Sequence, residues 1–140
     1  MWQYETSVVW KEGKRGEIHS GGKHPIEAAT PPEFGGPQNY WSPEDLLTGS
    51  VATCIMTSAI FFLERAGVEI NAYISNATGR MEKGAKGLEM TGIDVEVSVT
   101  VDDASKEDAV RTALERAEQT CPISNALSFP VELEVQVNIA

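Results

Sequence analysis

The sequence is short of three things, and each shortage closes off a class of protein. Positive charge is scarce: eleven Lys and Arg face twenty-one Asp and Glu, for a net charge of −10. A polyanion such as DNA would be repelled over most of the surface, so no nucleic-acid partner is expected. Cysteine is scarce as well, with only Cys54 and Cys121. Two cysteines cannot make the disulfide framework of a small secreted domain, so each thiol needs its own explanation. The opening residues Met1-Trp2-Gln3-Tyr4-Glu5 lack a basic stretch leading into an apolar run and a small-residue cleavage site, which makes the cytoplasm the expected compartment. Internal repeats and low-complexity tracts are absent. At 140 residues the expectation is a single domain spanning 1–140 around one core.

One apolar run invites a membrane reading. Leu46 to Leu63 carries no formal charge over eighteen residues, near the lower limit for crossing a bilayer. It also contains Thr48, Gly49, Ser50, Thr53, Thr57 and Ser58 and is flanked by Glu44, Asp45, Glu64 and Arg65. A helix buried all round by protein is therefore expected, with no membrane partner. Its start is marked by Ser42-Pro43-Glu44-Asp45: a hydroxyl to cap, proline at the first helical position, and acids facing the helix dipole. Gly67 marks its end. Gly49, Thr53 and Thr57 lie four apart and offer a narrow stripe for close packing.

Around this helix the pattern is that of strands. Alternation from Gln3 to Trp10 predicts a strand with one packed face, followed by a turn at Gly13-Lys14-Arg15-Gly16. Short strands at Glu17–Ser20 and Pro25–Ala29 complete a small antiparallel sheet. Pro31, Pro32, Gly35, Gly36 and Pro37 rule out regular structure from Thr30 to Tyr40. Two longer strands, Ile70 to Lys83 and Leu88 to Val101, should pair antiparallel across Gly84-Ala85-Lys86-Gly87. The second alternates Ile93, Val95, Val97, Val99 and Val101 with polar residues, so one face is buried. Ala109, Val110, Ala113, Leu114 and Ala117 predict an amphipathic helix over Lys106 to Gln119. A short helical turn then begins at Cys121-Pro122, and a closing strand spans Val131 to Ile139. The fold class is α+β, with antiparallel sheets packed on a central apolar helix.

Taken alone, Cys54 in the apolar helix reads most simply as a small buried hydrophobe with an inert thiol. Cys121 differs, because Pro122 places its sulfur near the start of a helical turn, where free amides favour the thiolate. A half-buried structural cysteine is the competing reading. Far apart in sequence, the two form neither a Cys-x-x-Cys pair nor a metal-ligand spacing. His19 and His24 add no recognisable zinc pattern, so neither metal nor cofactor is expected.

Three stretches in order carry a resemblance: Trp10-Lys-Glu-Gly-Lys-Arg-Gly16; Ser42-Pro43-Glu44-Asp45-Leu46-Leu47 followed by Ala52-Thr53-Cys54; and Ala117-Glu118-Gln119-Thr120-Cys121-Pro122-Ile123-Ser124. Together they resemble the osmotically inducible protein C and organic hydroperoxide resistance family over essentially the whole chain. The resemblance implies an intertwined homodimer and a two-cysteine peroxidase preferring organic hydroperoxides. Cys54 would attack the peroxide and become a sulfenic acid, and Cys121 would condense with it to a disulfide. Arg15, in preference to Lys14, would lower the Cys54 pKa and stabilise charge on the leaving oxygen. Glu44 would hold the guanidinium in place. A thiol reductant, either a lipoylated protein or a small dithiol, would be the second partner. The alternative is a redox sensor or small-ligand binder without turnover. Without the resemblance, Arg15 is a solvated turn residue and Glu44 an ordinary first-turn acid.

The helix adds a geometric inference of its own. The ten residues from Glu44 to Cys54 span about 15 Å at roughly 1.5 Å per residue, beyond the reach of one side chain. If both line one site, two subunits should share it. Phe34, Tyr40 and Trp41, in the loop before the helix, are candidates for a pocket lining.

Overall fold

A computed structural model describes the whole chain, residues 1–140. It resolves into two compact units, Met1–Leu47 and Thr48–Ala140.

In the first unit, β1 (Ser7–Glu12), β2 (Arg15–His19) and β3 (Ile26–Ala29) form an antiparallel sheet in that order. Gly13, at φ 54°, turns β1 into β2; positive φ suits a residue without a Cβ. The strand expected from Gln3 begins only at Ser7, which pairs with His19 at the far end of β2. Alternation at Tyr4 and Thr6 had no partner strand to meet. Nor does β1 have a packed face: Val8 and Trp10 are both 72% exposed. The Thr30–Tyr40 loop is irregular apart from one 3-10 turn, Pro32–Phe34.

Helix α1 (Pro43–Ala66) starts in the first unit and supplies its later turns to the second. Its beginning is a capping box: the Asp45 N–H donates to Ser42 Oγ and the Ser42 N–H to Asp45 Oδ2, both at 3.0 Å. Its end is a Schellman motif, with Gly67 at φ 69° and bonds from the Gly67 N–H to the Glu64 carbonyl and from the Val68 N–H to the Leu63 carbonyl.

In the second unit, β4 (Ala72–Gly84), β5 (Gly87–Val101) and β6 (Val131–Ile139) form a three-stranded sheet with β5 central. β4 and β5 pair antiparallel as expected. β6 instead runs parallel to β5, from Ile93 opposite Val131 to Val101 opposite Ile139. The sheet is therefore mixed, which corrects the all-antiparallel expectation while leaving the class α+β. A parallel pair needs a long crossover. Helices α2 (Glu107–Thr120) and α3 (Pro122–Asn125) supply it.

One core holds this unit together. Ile93, Val95, Val97, Val99 and Val101 of β5 pack with Val110, Ala113, Leu114 and Ala117 of α2 and with Val51, Ile55, Ala59 and Leu63 of α1, all buried. Fully burying each larger aliphatic side chain contributes about 1.5–3 kcal/mol. The α1 residues recur every fourth position, so they make a single stripe. The helix is long and apolar enough to cross a membrane, yet its stripe is part of a protein core. Phe61 is 50% exposed, and Thr53 and Thr57 are exposed as well. Burial on all sides, the sequence expectation, is thus not met within one chain.

Candidate active site

Two elements of the second unit bring the cysteines together. Cys54 lies one position before Ile55 of the buried α1 stripe, which leaves it half-buried at the edge of the core. Cys121 closes α2 and caps α3, and its side chain is completely buried. Pro122 at the first position of α3 presets the turn. The Ser124 N–H then donates to Cys121 Sγ at 3.4 Å, and the Asn125 N–H to the Cys121 carbonyl at 3.0 Å. Both cysteines are free thiols, close enough that each shifts the titration of the other.

The two thiols are shifted in opposite directions. Burial pushes the Cys54 thiol up, and the neighbouring Cys121 pushes it further, against smaller help from the Ile123 N–H and the Ser58 hydroxyl one turn along α1. Burial alone would push Cys121 up too. There Cys54, the nearby Ser124 hydroxyl and the Ser124 and Ile123 amides outweigh burial and hold it below the ordinary thiol value. Within this unit Cys54 is thus the thiol pushed up and Cys121 the one held down.

An open depression of about 380 Å³ is lined by Thr57, Ser58, Phe61, Phe62 and Thr120, of which Ser58 stands one turn after Cys54 in α1 and Thr120 directly precedes Cys121. Phe61 and Phe62 meet edge to face at 5.3 Å, with Arg65 stacked on the first ring and Arg116 on the second.

Arg15 and Glu44 belong to the first unit. Arg15 leads β2, where its guanidinium donates to Glu12 Oε1 at 3.0 Å, to Glu27 Oε1 at 3.4 Å and to Tyr40 Oη at 3.4 Å. Its carbon stands 5.4 Å from the Tyr40 ring centre. Lys14 instead ties its Nζ to the Phe34 carbonyl at 3.0 Å. Glu44 is half-buried in the first turn of α1, and its Oε2 is buried without a hydrogen-bond partner. Sequence reasoning paired Arg15 with Glu44; the partners on the guanidinium are Glu12, Glu27 and Tyr40. A groove of about 350 Å³ in this unit is lined by Val8, Trp10, Ile18, Ala28, Leu46 and others, together with Arg15 and Lys14. Phe34, Tyr40 and Trp41, the expected lining, are not among these residues: Tyr40 serves Arg15, while Phe34 and Trp41 are exposed.

The sequence reading also passed over Ser58 and Ser124. Ser124 had a visible signal, since it stands three residues after a capping position followed by proline, where the amide ordinarily bonds the cap side chain. Ser58 had only its spacing of four from Cys54.

Comparison with known proteins settles the family. Residues 36–136 match the model of the OsmC-like protein family. The chain belongs to that family. It is 28% identical to the organic hydroperoxide resistance protein-like 2 of Staphylococcus saprophyticus, across 97% of this chain and 96% of that one. Its fold matches an OsmC-like protein of unknown function from Vibrio cholerae with a TM-score of 0.89 at 19% identity, covering 97% of this chain and all of that one. An organic hydroperoxide resistance protein from Elizabethkingia anophelis follows at 0.76 and 20% identity, covering 100% and 98%. This OsmC-like chain thus shares a fold with proteins named for hydroperoxide resistance.

Proposed function

We propose that this protein is a cytoplasmic, homodimeric thiol peroxidase that reduces organic hydroperoxides to alcohols. The observation that carries the reading is the meeting of two free thiols, Cys54 of α1 and Cys121 at the start of α3, close enough that each shifts the other's titration. The Cys54 thiolate attacks the peroxide O–O bond; the alkoxide takes a proton and leaves as alcohol, and the sulfur becomes a sulfenic acid. Cys121 then attacks that sulfur, an S–S bond forms, and the hydroxide released takes a proton to leave as water. The two thiols supply both electrons, so the step needs neither metal nor cofactor. A dithiol, free or carried on a lipoylated protein, returns the disulfide to thiols.

The first step requires the negative charge on Cys54, not on Cys121. Two neighbouring thiols titrate together, and a cation beside Cys54 favours the charge there. Arg15 is assigned that role. Its bonds to Glu12 and Glu27 are partly open to solvent, with those carboxylates 78% and 55% exposed, so they are readily exchanged. Glu44, with a buried carboxylate oxygen awaiting a donor, is assigned to hold the guanidinium. Two chains sharing the site would bring these groups together and would cover the open faces of α1.

The same pair of free thiols also fits one second reading, a redox switch that oxidises without turnover. Peroxide consumption by the reduced protein with cumene hydroperoxide and excess dihydrolipoamide distinguishes the two. Sustained consumption, faster than with hydrogen peroxide, supports the peroxidase; a single equivalent consumed identifies the switch.

A further inference from the structure

Ser124 carries two observations that the two-cysteine scheme leaves unused. Its backbone N–H fixes the Cys121 sulfur at 3.4 Å. Its hydroxyl oxygen is buried with no partner at hydrogen-bond geometry, yet lies near enough to the same sulfur to help hold its thiol value down. A buried hydroxyl without a partner is destabilising, and a purely structural role at this place would not call for one, since alanine would keep the backbone bond. The groups acting on the Cys121 sulfur are Cys54 from α1 and Ile123 and Ser124 from α3. Cys54 has no S–H to offer once it is the attacking thiolate or, afterwards, the sulfenic sulfur. From then on the Ser124 hydroxyl is the thiol or hydroxyl donor that remains beside the Cys121 sulfur when it must itself become a thiolate.

We propose that Ser124 is a positioning residue for the second half of the reaction, its hydroxyl turning to donate to the Cys121 thiolate as that sulfur attacks the Cys54 sulfenic acid. The inference rests on the peroxidase reading, which it deepens. In the step itself, the Cys121 electron pair forms the S–S bond, the Cys54 S–O bond breaks, and hydroxide departs and is protonated to water. The serine is neither consumed nor oxidised. It holds the nucleophile in its charged form and in line, and a charge-assisted hydrogen bond of this kind is lost when the hydroxyl is removed.

The test follows both half-reactions in one turnover, with mass spectrometry counting sulfenic acid and disulfide in time. Ser124→Ala should slow disulfide formation relative to sulfenic acid formation by about tenfold or more and should raise the fraction of Cys54 overoxidised at excess peroxide. Ser124→Thr, which keeps the hydroxyl, should restore the ratio. A second readout needs no peroxide: on a Cys54→Ser background, the ultraviolet absorbance of the Cys121 thiolate should appear at higher pH when Ser124 is alanine and at the original pH when it is threonine. If alanine does not fold, threonine and valine make the same comparison at nearly equal volume. An unchanged ratio with an unmoved thiolate titration overturns the role. Failure of the wild type to oxidise would sink the peroxidase reading, while the titration would still decide whether the hydroxyl acts on Cys121.

Discussion

Cys54, in the middle of α1, and Cys121, at the junction of α2 and α3, stand close enough that each thiol shifts the titration of the other. Cys121 is also capped by the Ser124 amide. The proposed mechanism needs the negative charge on Cys54 before it can attack, and that is the task it assigns to Arg15 and Glu44.

Removing one thiol at a time should separate the two steps. Cys54→Ser should abolish peroxide consumption, whereas Cys121→Ser should still consume one equivalent and then accumulate sulfinic acid, because no partner remains to trap the sulfenic acid. Peroxide assays with intact-mass measurement check this. The reverse pattern, with Cys121→Ser inert and Cys54→Ser consuming one equivalent before overoxidising, would mean that Cys121, not Cys54, meets the peroxide.

Arg15 should matter to rate and little to stability. Its ion pairs are with largely exposed carboxylates, and such pairs contribute about 0–1 kcal/mol. Arg15→Met should therefore melt within a few degrees of wild type while lowering kcat/KM for cumene hydroperoxide by about a hundredfold, the scale of losing one charge-stabilising donor. Arg15→Lys should fall between, since lysine keeps the charge without the planar fork. Initial rates and thermal melts decide it.

Tyr73 should make the fold sensitive to alkali. Its hydroxyl is buried without a partner, and burial pushes its pKa up to about 12 from an ordinary value of 10.0. Because the folded state favours the neutral phenol, this contribution is fully present below pH 10 and is lost as pH rises through about 12. Tyr73→Phe should flatten that decline and cost little stability at pH 7, since an unpaired hydroxyl is removed with it. Denaturant midpoints at pH 8, 10 and 11 test the slope; identical slopes for both proteins would argue against it.

Leu114 is fully buried between α2 and the valine row of β5. Leu114→Ala should destabilise by about 2–5 kcal/mol, against under 1 kcal/mol, roughly, for the exposed Ile74→Ala. Urea unfolding measures both.

Much of this was legible in the sequence, for local reasons. Ser42-Pro43 and Gly67 bounded α1 to the residue because capping chemistry acts over one turn. The valine alternation showed which face of β5 is buried. It could not show which strand lies beside it, since period-two patterning records a face and not a neighbour, and so the parallel partner β6 was missed. The apolar length of α1 suggested burial on every side, but one chain covers only the Val51, Ile55, Ala59 and Leu63 stripe. Cys-Pro foretold the start of α3 and the Cys121 cap that the Ser124 amide completes. Nothing in spacing foretold that Cys54 would lie near it, because that depends on where two remote elements meet. The partners of Arg15 were hidden for the same reason: Glu12, Glu27 and Tyr40 converge on it across a sheet and a loop.

The most direct test of the central claim is a single-turnover reaction of the reduced protein with one equivalent of cumene hydroperoxide or of hydrogen peroxide, quenched in time and mapped by peptide mass spectrometry. The account predicts a Cys54–Cys121 disulfide that forms rapidly and faster with the organic peroxide. Two thiols still reduced, or oxidised slowly and without preference between the peroxides, would contradict it.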